Sequence, residues 1–178
     1  MALESKLEKI KLLILDVDGV LTDGKIVIGN DGEEFKFFNV KDGLGIKNVK
    51  KLGIKVAIIT SKQSKIVEVR MKSLGITDVF QGQKNKVSSY KKLLEKYSLS
   101  PEEVGYMGDD LPDLPLLDRS GCAFIPKDAN KLLCKYADYQ CNTRGGEGAV
   151  REVCDLICEV SGFNLKIENA YLTDGELV

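Results

Sequence analysis

The sequence predicts an α/β protein built on a doubly wound, mainly parallel sheet of Rossmann-like type, carrying an inserted β-hairpin and no cap domain. Three observations predict it. Short apolar runs recur along the 178-residue chain, they alternate with stretches of helical spacing, and polar residues gather where each apolar run ends. In open sheets of this kind ligands bind beyond the C-terminal ends of the strands, so the polar run ends are also where a site is expected.

Lys11-Leu12-Leu13-Ile14-Leu15 is the first apolar run and stops at Asp16. It reads as a strand buried on both faces. Residues 25–28 and 33–39 flank Gly29-Asn30-Asp31-Gly32, the turn chemistry of a hairpin, so an inserted hairpin is expected over about 24–40. Ile46, Val49 and Leu52 before Gly53 have helical spacing, and Lys55-Val56-Ala57-Ile58-Ile59 is a second strand ending at Thr60 and Ser61. Two more helices follow from Val67, Met71 and Leu74 before Gly75, and from Val87, Tyr90, Leu94 and Tyr97 before Ser98. The glycines act as C-terminal stops. Ser100-Pro101-Glu102-Glu103 is a capping box on a short turn that leads into the strand Val104-Gly105-Tyr106-Met107. Cys122-Ala123-Phe124-Ile125 is a further strand, and Val150, Val153, Ile157 and Val160 mark the buried stripe of a last helix. The tail, about 163–178, loses clear periodicity, and residues 1–178 are expected to form one domain.

Composition removes many function classes. Lys and Arg number 26 against 27 Asp and Glu, scattered in both signs, which leaves no basic surplus for a nucleic-acid partner. No apolar run reaches the length of a membrane span, and residues 1–10 do not form a signal sequence, so a cytoplasmic protein is expected. The five cysteines form no Cys-x-x-Cys pair and read as reduced, mostly buried thiols. The chain contains no histidine, which excludes serine-histidine triads, histidine phosphatases and histidine-zinc sites. No cysteine is followed by Arg at the spacing a cysteine phosphatase needs. Acid/base work then falls to carboxylates, lysines, tyrosines or metal-bound water.

The strongest chemical signal is Asp16-Val17-Asp18-Gly19-Val20-Leu21-Thr22-Asp23-Gly24, directly after the first strand. A solvated acidic turn is the ordinary explanation of such a run. Asp-x-Asp at a strand end can also offer one carboxylate to a metal and a reacting phosphorus while the second faces the leaving group. Magnesium favours such oxygen ligands. Gly108-Asp109-Asp110-Leu111-Pro112-Asp113 supplies a second acidic cluster after another strand. Two such clusters repel unless a cation sits between them. Lys86 can set positive charge against the nucleophile and a transferring phosphoryl group, and Thr60 offers a hydroxyl and nearby amides to phosphoryl oxygens.

In these four motifs, in order along nearly the whole chain, the sequence resembles the haloacid dehalogenase superfamily. The resemblance implies that Asp16 is a nucleophile forming an aspartyl-phosphate and that Asp18 is the general acid and base. Thr60 binds phosphate and Lys86 is the lysine of the third motif. Asp16, the Asp18 carbonyl and Asp109 hold Mg2+, with Asp110 and Asp113 supporting. A closer resemblance covers the Asp16–Gly24 run, the hairpin, Gln81-Gly82-Gln83-Lys84-Asn85-Lys86, Gly108–Asp113 and Arg144-Gly145-Gly146-Glu147-Gly148-Ala149-Val150-Arg151-Glu152. These stretches look like the capless sugar-acid phosphatases of the 3-deoxy-D-manno-octulosonate 8-phosphate phosphatase family.

That family implies a phosphorylated 2-keto-3-deoxy sugar acid as substrate, a role in lipopolysaccharide precursor synthesis and a homotetramer whose hairpins meet. Ser61, Lys62, Arg70 and Arg144 are the candidate substrate-binding residues. Two departures bear on the substrate. Thr60-Ser61-Lys62 stands where the family usually reads Thr-Gly-Arg, and Glu147 stands where octulosonate enzymes often carry a basic residue. Glutamate there suits some nonulosonate 9-phosphate phosphatases, so an eight-carbon or a nine-carbon substrate remains open. Two other classes compete: a receiver domain, whose phosphoacceptor would lie on a later strand than the acidic pair, and a catalytically silent, phosphatase-like oligomerisation module, against which the intact acidic residues count.

Overall fold

A computed structural model describes residues 2–173. In chain order its elements are α1 (Leu3–Leu7), β1 (Leu12–Leu15), β2 (Val27–Ile28), β3 (Glu34–Phe35), α2 (Val40–Lys51), β4 (Lys55–Ile59), α3 (Lys65–Ser73), β5 (Asp78–Phe80), α4 (Lys86–Tyr97), β6 (Val104–Met107), α5 (Leu114–Leu117), β7 (Cys122–Ile125), β8 (Tyr139–Gln140), α6 (Ala149–Val160) and α7 (Phe163–Thr173). Among the described residues six parallel strands form the main sheet in the order β5-β4-β1-β6-β7-β8. From β1 the chain winds outward to β4 and β5, then crosses back to β6 on the other side. The point of reversal lies beside β1, and the expected crevice opens there.

Alternation along the strands divides the core into two layers. Leu13 and Leu15 of β1, Val56 and Ile58 of β4, and Phe124 of β7 face a layer closed by α2, α3 and α6. Leu12, Ile14, Ala57, Ile59 and Ala123 face the opposite layer, closed by α4 and α5. Both faces are covered, which is why the strands read as continuous apolar runs. Helix ends follow local chemistry. Asn39 and Asn85 cap α2 and α4 by accepting from the amides of Lys41 and Val87. Gly53 and Gly75, both at positive φ, stop α2 and α3. Ser98 ends α4 in the left-handed region, a serine doing what the glycines do elsewhere.

The structure departs from the sequence pattern at three places. The hairpin ladder is shorter than its sequence pattern, pairing only Val27 with Phe35 and Ile28 with Glu34. Beyond it, Phe38 already packs on the core and Asn39 caps α2, so those residues are taken by other contacts. Strand β5 opens on Asp78 and β8 has two residues, and neither carries an apolar run long enough to read as a strand. The tail is helical over Phe163–Thr173, packing through Phe163 against the α6 layer; residues 174–178 lie outside the described residues. The cysteines follow the expectation of mostly buried thiols: all five are free, four are buried and Cys134 is exposed. Cys154 and Cys158 share the core face of α6, where burial pushes both thiols up, Cys158 to about 11, opposing a thiolate site for metal.

Candidate active site

Sheet register brings the acidic clusters together. Leu15 pairs with Ile58 on one side and Met107 on the other, so β1, β4 and β6 end at one level. Asp16 continues the ladder by donating its amide to the Met107 carbonyl at 3.1 Å, and Thr60 donates to the Phe80 carbonyl at 2.9 Å. The residues that follow these three strand ends line one cavity of about 310 Å³: Asp16, Asp18, Gly24, Thr60, Ser61, Lys62, Asp109, Asp110, Pro112 and Asp113.

Lys86, the first residue of α4, enters this group from below. Its side chain is 2% exposed, and its ammonium lies 2.9 Å from Asp16 Oδ2 and 2.6 Å from Asp113 Oδ1. Asp113 is fully engaged: Oδ1 also accepts from the Tyr106 hydroxyl, and Oδ2 accepts from the amides of Asp109 at 3.0 Å and Asp110 at 3.3 Å. Its carboxylate therefore shapes the loop and aims Lys86. Asp110 shapes the same loop, accepting from the Leu111 amide and the Asn130 side chain at 2.8 Å each. Asp16 Oδ1 accepts from the Val17 amide at 2.7 Å. The Asp109 carboxylate has no hydrogen-bond or ion-pair partner among the described residues.

Three carboxylates therefore face one buried ammonium. Burial, then the charge of Asp113, raises Asp16 to about 6 despite Lys86. Burial, followed by Asp113, Asp16 and Asp110, raises Asp109 to about 8. Burial works against the Lys86 charge, but Asp16 and Asp113 outweigh it and hold the ammonium above its ordinary value. Such a site is short of positive charge. Among the described residues one cluster of metal-type side chains occurs, Asp16, Asp109 and Asp113, with oxygens within 4.8 Å of one another. All-oxygen donors and surplus negative charge fit a hard divalent cation such as Mg2+. Asp18 stands outside that side-chain cluster, so a ligand from it would have to be its backbone carbonyl.

Close packing explains the glycines around the site. A Cβ on Gly19, at φ +86°, would lie 2.0 Å from Asp109 Oδ2, so only glycine lets Asp109 sit against this turn. A Cβ on Gly145 would lie 1.8 Å from the Gly19 carbonyl oxygen. The Arg144-Gly145-Gly146 loop is thus a buttress laid directly on the Asp16–Gly24 turn.

Two predicted substrate residues lie apart from the cavity. Arg70 packs over the Phe38 ring at 5.8 Å and donates to the Asn39 carbonyl at 3.4 Å, supporting the start of α2. Arg144 pairs with Asp128 at 3.3 Å, and Asp128 also accepts from the Gly145 amide at 3.0 Å. Within this chain both arginines make contacts to neighbouring loop residues. Ser61 and Lys62, in contrast, line the cavity. Sequence reasoning missed Tyr106, which reads as an ordinary strand residue, and Lys36, which reaches from the hairpin to Asp18 Oδ1 at 2.5 Å. The available signal for Lys36 was its place between Phe35 and Phe37, where strand alternation turns it to the opposite side.

A sequence model of the haloacid dehalogenase-like hydrolases matches residues 28–153, well over half of the chain. The chain belongs to this family. It is 52% identical over 158 residues to 3-deoxy-D-manno-octulosonate 8-phosphate phosphatase of Escherichia coli, covering 89% of this chain and 84% of that one. Among solved structures of the family, the same phosphatase from Yersinia pestis superposes with a TM-score of 0.89 at 46% identity, covering 90% and 87% of the two chains. The phosphatase of Moraxella catarrhalis, solved with a magnesium ion, a phosphate ion and the octulosonate sugar acid, gives 0.91 at 39% identity over 94% and 97%.

Proposed function

We propose that this protein is a magnesium-dependent phosphatase that hydrolyses 3-deoxy-D-manno-octulosonate 8-phosphate to the free sugar acid and phosphate. The observation that carries the reading is a buried carboxylate, Asp16, fixed at the end of β1 by Lys86, with Asp18 two residues on in the same cavity. Relatives of this length and identity support the choice of substrate.

In the first step a carboxylate oxygen of Asp16 bonds to phosphorus as the phosphate's bond to the sugar oxygen breaks. Asp18 delivers a proton to that oxygen. Asp18 then takes a proton from water, whose oxygen attacks the aspartyl-phosphate, releasing phosphate and restoring Asp16. Lys86 offsets charge on Asp16 and on the transferring group, and Thr60, buried at the end of β4, offers its hydroxyl to a phosphoryl oxygen. Magnesium, for which Asp16, Asp109 and the Asp18 carbonyl are the assigned ligands, would neutralise the phosphoryl oxygens when bound. Lys62 and Ser61 take the sugar-acid end. In this proposal Asp110 and Asp113 organise the loop, and Arg70 and Arg144 act through packing.

The assembly is proposed to be a homotetramer built on the hairpin. Ile26, Ile28, Phe35 and Phe37 are between 48% and 66% exposed, an apolar surface that association would cover. No helix among the described residues is long and apolar enough to cross a membrane. Five free thiols suit a reducing compartment, which supports a cytoplasmic enzyme. Lys62 and Glu147 favour keeping a nine-carbon 9-phosphate as a second substrate reading. The test is turnover of both compounds with Mg2+ by the native chain and by Asp16→Asn and Asp18→Asn. Turnover that survives in Asp16→Asn removes the mechanism; preference for the nine-carbon compound removes the octulosonate assignment alone.

A further inference from the structure

The hairpin side chain that reaches furthest into the chemistry is Lys36. Its flanking residues Phe35 and Phe37 are 48% and 66% exposed, whereas the Lys36 side chain is 2% exposed. Alternation turns it inward, where its ammonium contacts Asp18 Oδ1 at 2.5 Å and Glu34 at 3.3 Å. Lys36 is the side-chain partner of the Asp18 carboxylate among the described residues.

We propose that Lys36 is a positioning residue for the reaction: it holds the Asp18 carboxylate on the hairpin side of the cavity, aimed at the leaving oxygen. This rests on the reading of Asp18 as the general acid. The physical need follows from the site's charge. Asp18 sits two residues from Asp16 and shares a cavity with Asp109, whose shortage of positive charge suits a divalent cation. A carboxylate free to rotate would be drawn onto that cation and become a ligand, unable to carry a proton. The ammonium of Lys36, reaching in from the hairpin, provides a competing partner. It engages Oδ1 and leaves Oδ2 to hold the proton that passes to the sugar oxygen as the phosphorus-oxygen bond breaks. Glu34, bonded to the same ammonium, fixes Lys36 in turn.

The test uses leaving groups that differ in their need for an acid. p-Nitrophenolate leaves without protonation, whereas an alkoxide does not. kcat/KM would be measured with Mg2+ for a series of aryl and alkyl phosphates in the native chain, Lys36→Met, Lys36→Arg and Asp18→Asn, with folding checked by circular dichroism. Lys36→Met is expected to lose on the order of 100-fold on alkyl esters and less than about 5-fold on p-nitrophenyl phosphate, so its plot against leaving-group pKa steepens. Lys36→Arg, which keeps the charge and the donor, is expected to recover most of the alkyl activity. Parallel plots for Lys36→Met and the native chain, at any level of activity, overturn the inference while Asp18→Asn still steepens. A plot for Asp18→Asn that does not steepen overturns both the inference and the acid assignment beneath it.

Discussion

Replacing Lys86 with Met removes the one ammonium buried among Asp16, Asp109 and Asp113 while keeping the length of the side chain. At 2.9 and 2.6 Å, and an effective dielectric of about 20, each ion pair is worth roughly 6 kcal/mol in Coulomb terms. Most of that repays the desolvation of the charges. The loss on removing one partner is therefore nearer 3–5 kcal/mol, because two buried carboxylates are left without their cation. The sign with pH follows from the raised carboxyls. Asp16 at about 6 and Asp109 at about 8 both lie above the ordinary 3.8, so their ionisation costs stability that returns as pH falls through those values. Without Lys86 that cost grows, and acid relieves more of it. Urea unfolding in the presence of a chelator should show Lys86→Met destabilised by about 3–5 kcal/mol at pH 8 and by less than about 2 at pH 5.5. Magnesium should narrow the gap at pH 8. A penalty of equal size at both pH values, or one below about 1 kcal/mol, would refute the argument that these charges are coupled.

Gly19→Ala should cut turnover by at least about 100-fold through displaced Asp109, while Gly32→Ala, also at positive φ but with open space around it, should cost only about 1–2 kcal/mol and leave turnover intact. Equal turnover in the two variants would contradict the steric account. If the proposed tetramer forms, Phe37→Ser should shift its sedimentation toward smaller species, and an unchanged profile would exclude the hairpin from the interface. Asp42, buried between α2 and α6 with Oδ2 unpartnered, is raised to about 6 by burial, so its ionisation opposes folding above that pH. Asp42→Asn keeps the acceptor for the Arg151 amide and should stabilise the fold at pH 8 by up to about 3 kcal/mol, with the gain fading as pH falls through about 6 and largely gone by about pH 4. A gain that grows on acidification would reverse that assignment.

The fold was legible where its strands are buried on both faces. β1, β4, β6 and β7 each read as an unbroken apolar run because water reaches neither side of them. The glycine stops and the Ser100 capping box were legible for another reason, since a cap is decided within a few residues. Edge strands β5 and β8 escaped because they are held by pairing with one buried neighbour, which no local pattern records. Helix α7 escaped similarly: its start is set by Phe163 against the α6 layer, a contact between elements.

Within the site, legibility divides by how a residue is fixed. Asp16, Thr60 and Asp109 stand at or just past strand ends, and the parallel register that aligns those ends follows from the apolar runs themselves. Lys86 opens a helix whose asparagine cap is local, so its placement beside Asp16 also follows from elements the sequence announces. Arg70 and Arg144 are placed by contacts that the sequence does not announce. A basic residue in a polar loop can face the cavity or brace the loop, and the choice depends on an acceptor elsewhere: the Asn39 carbonyl for one, Asp128 for the other. Lys36 is the reverse case, a lysine just past the short hairpin strand whose side chain turns onto Asp18. Its apolar neighbours are exposed while its ammonium faces inward, so a contact that covers Phe35 and Phe37 also fixes the hairpin segment that carries Lys36. The proposed association through the hairpin and the proposed aim of Asp18 would then involve two faces of one short segment, and a variant that loosens such an assembly should lose alkyl-ester turnover before it loses p-nitrophenyl phosphate turnover.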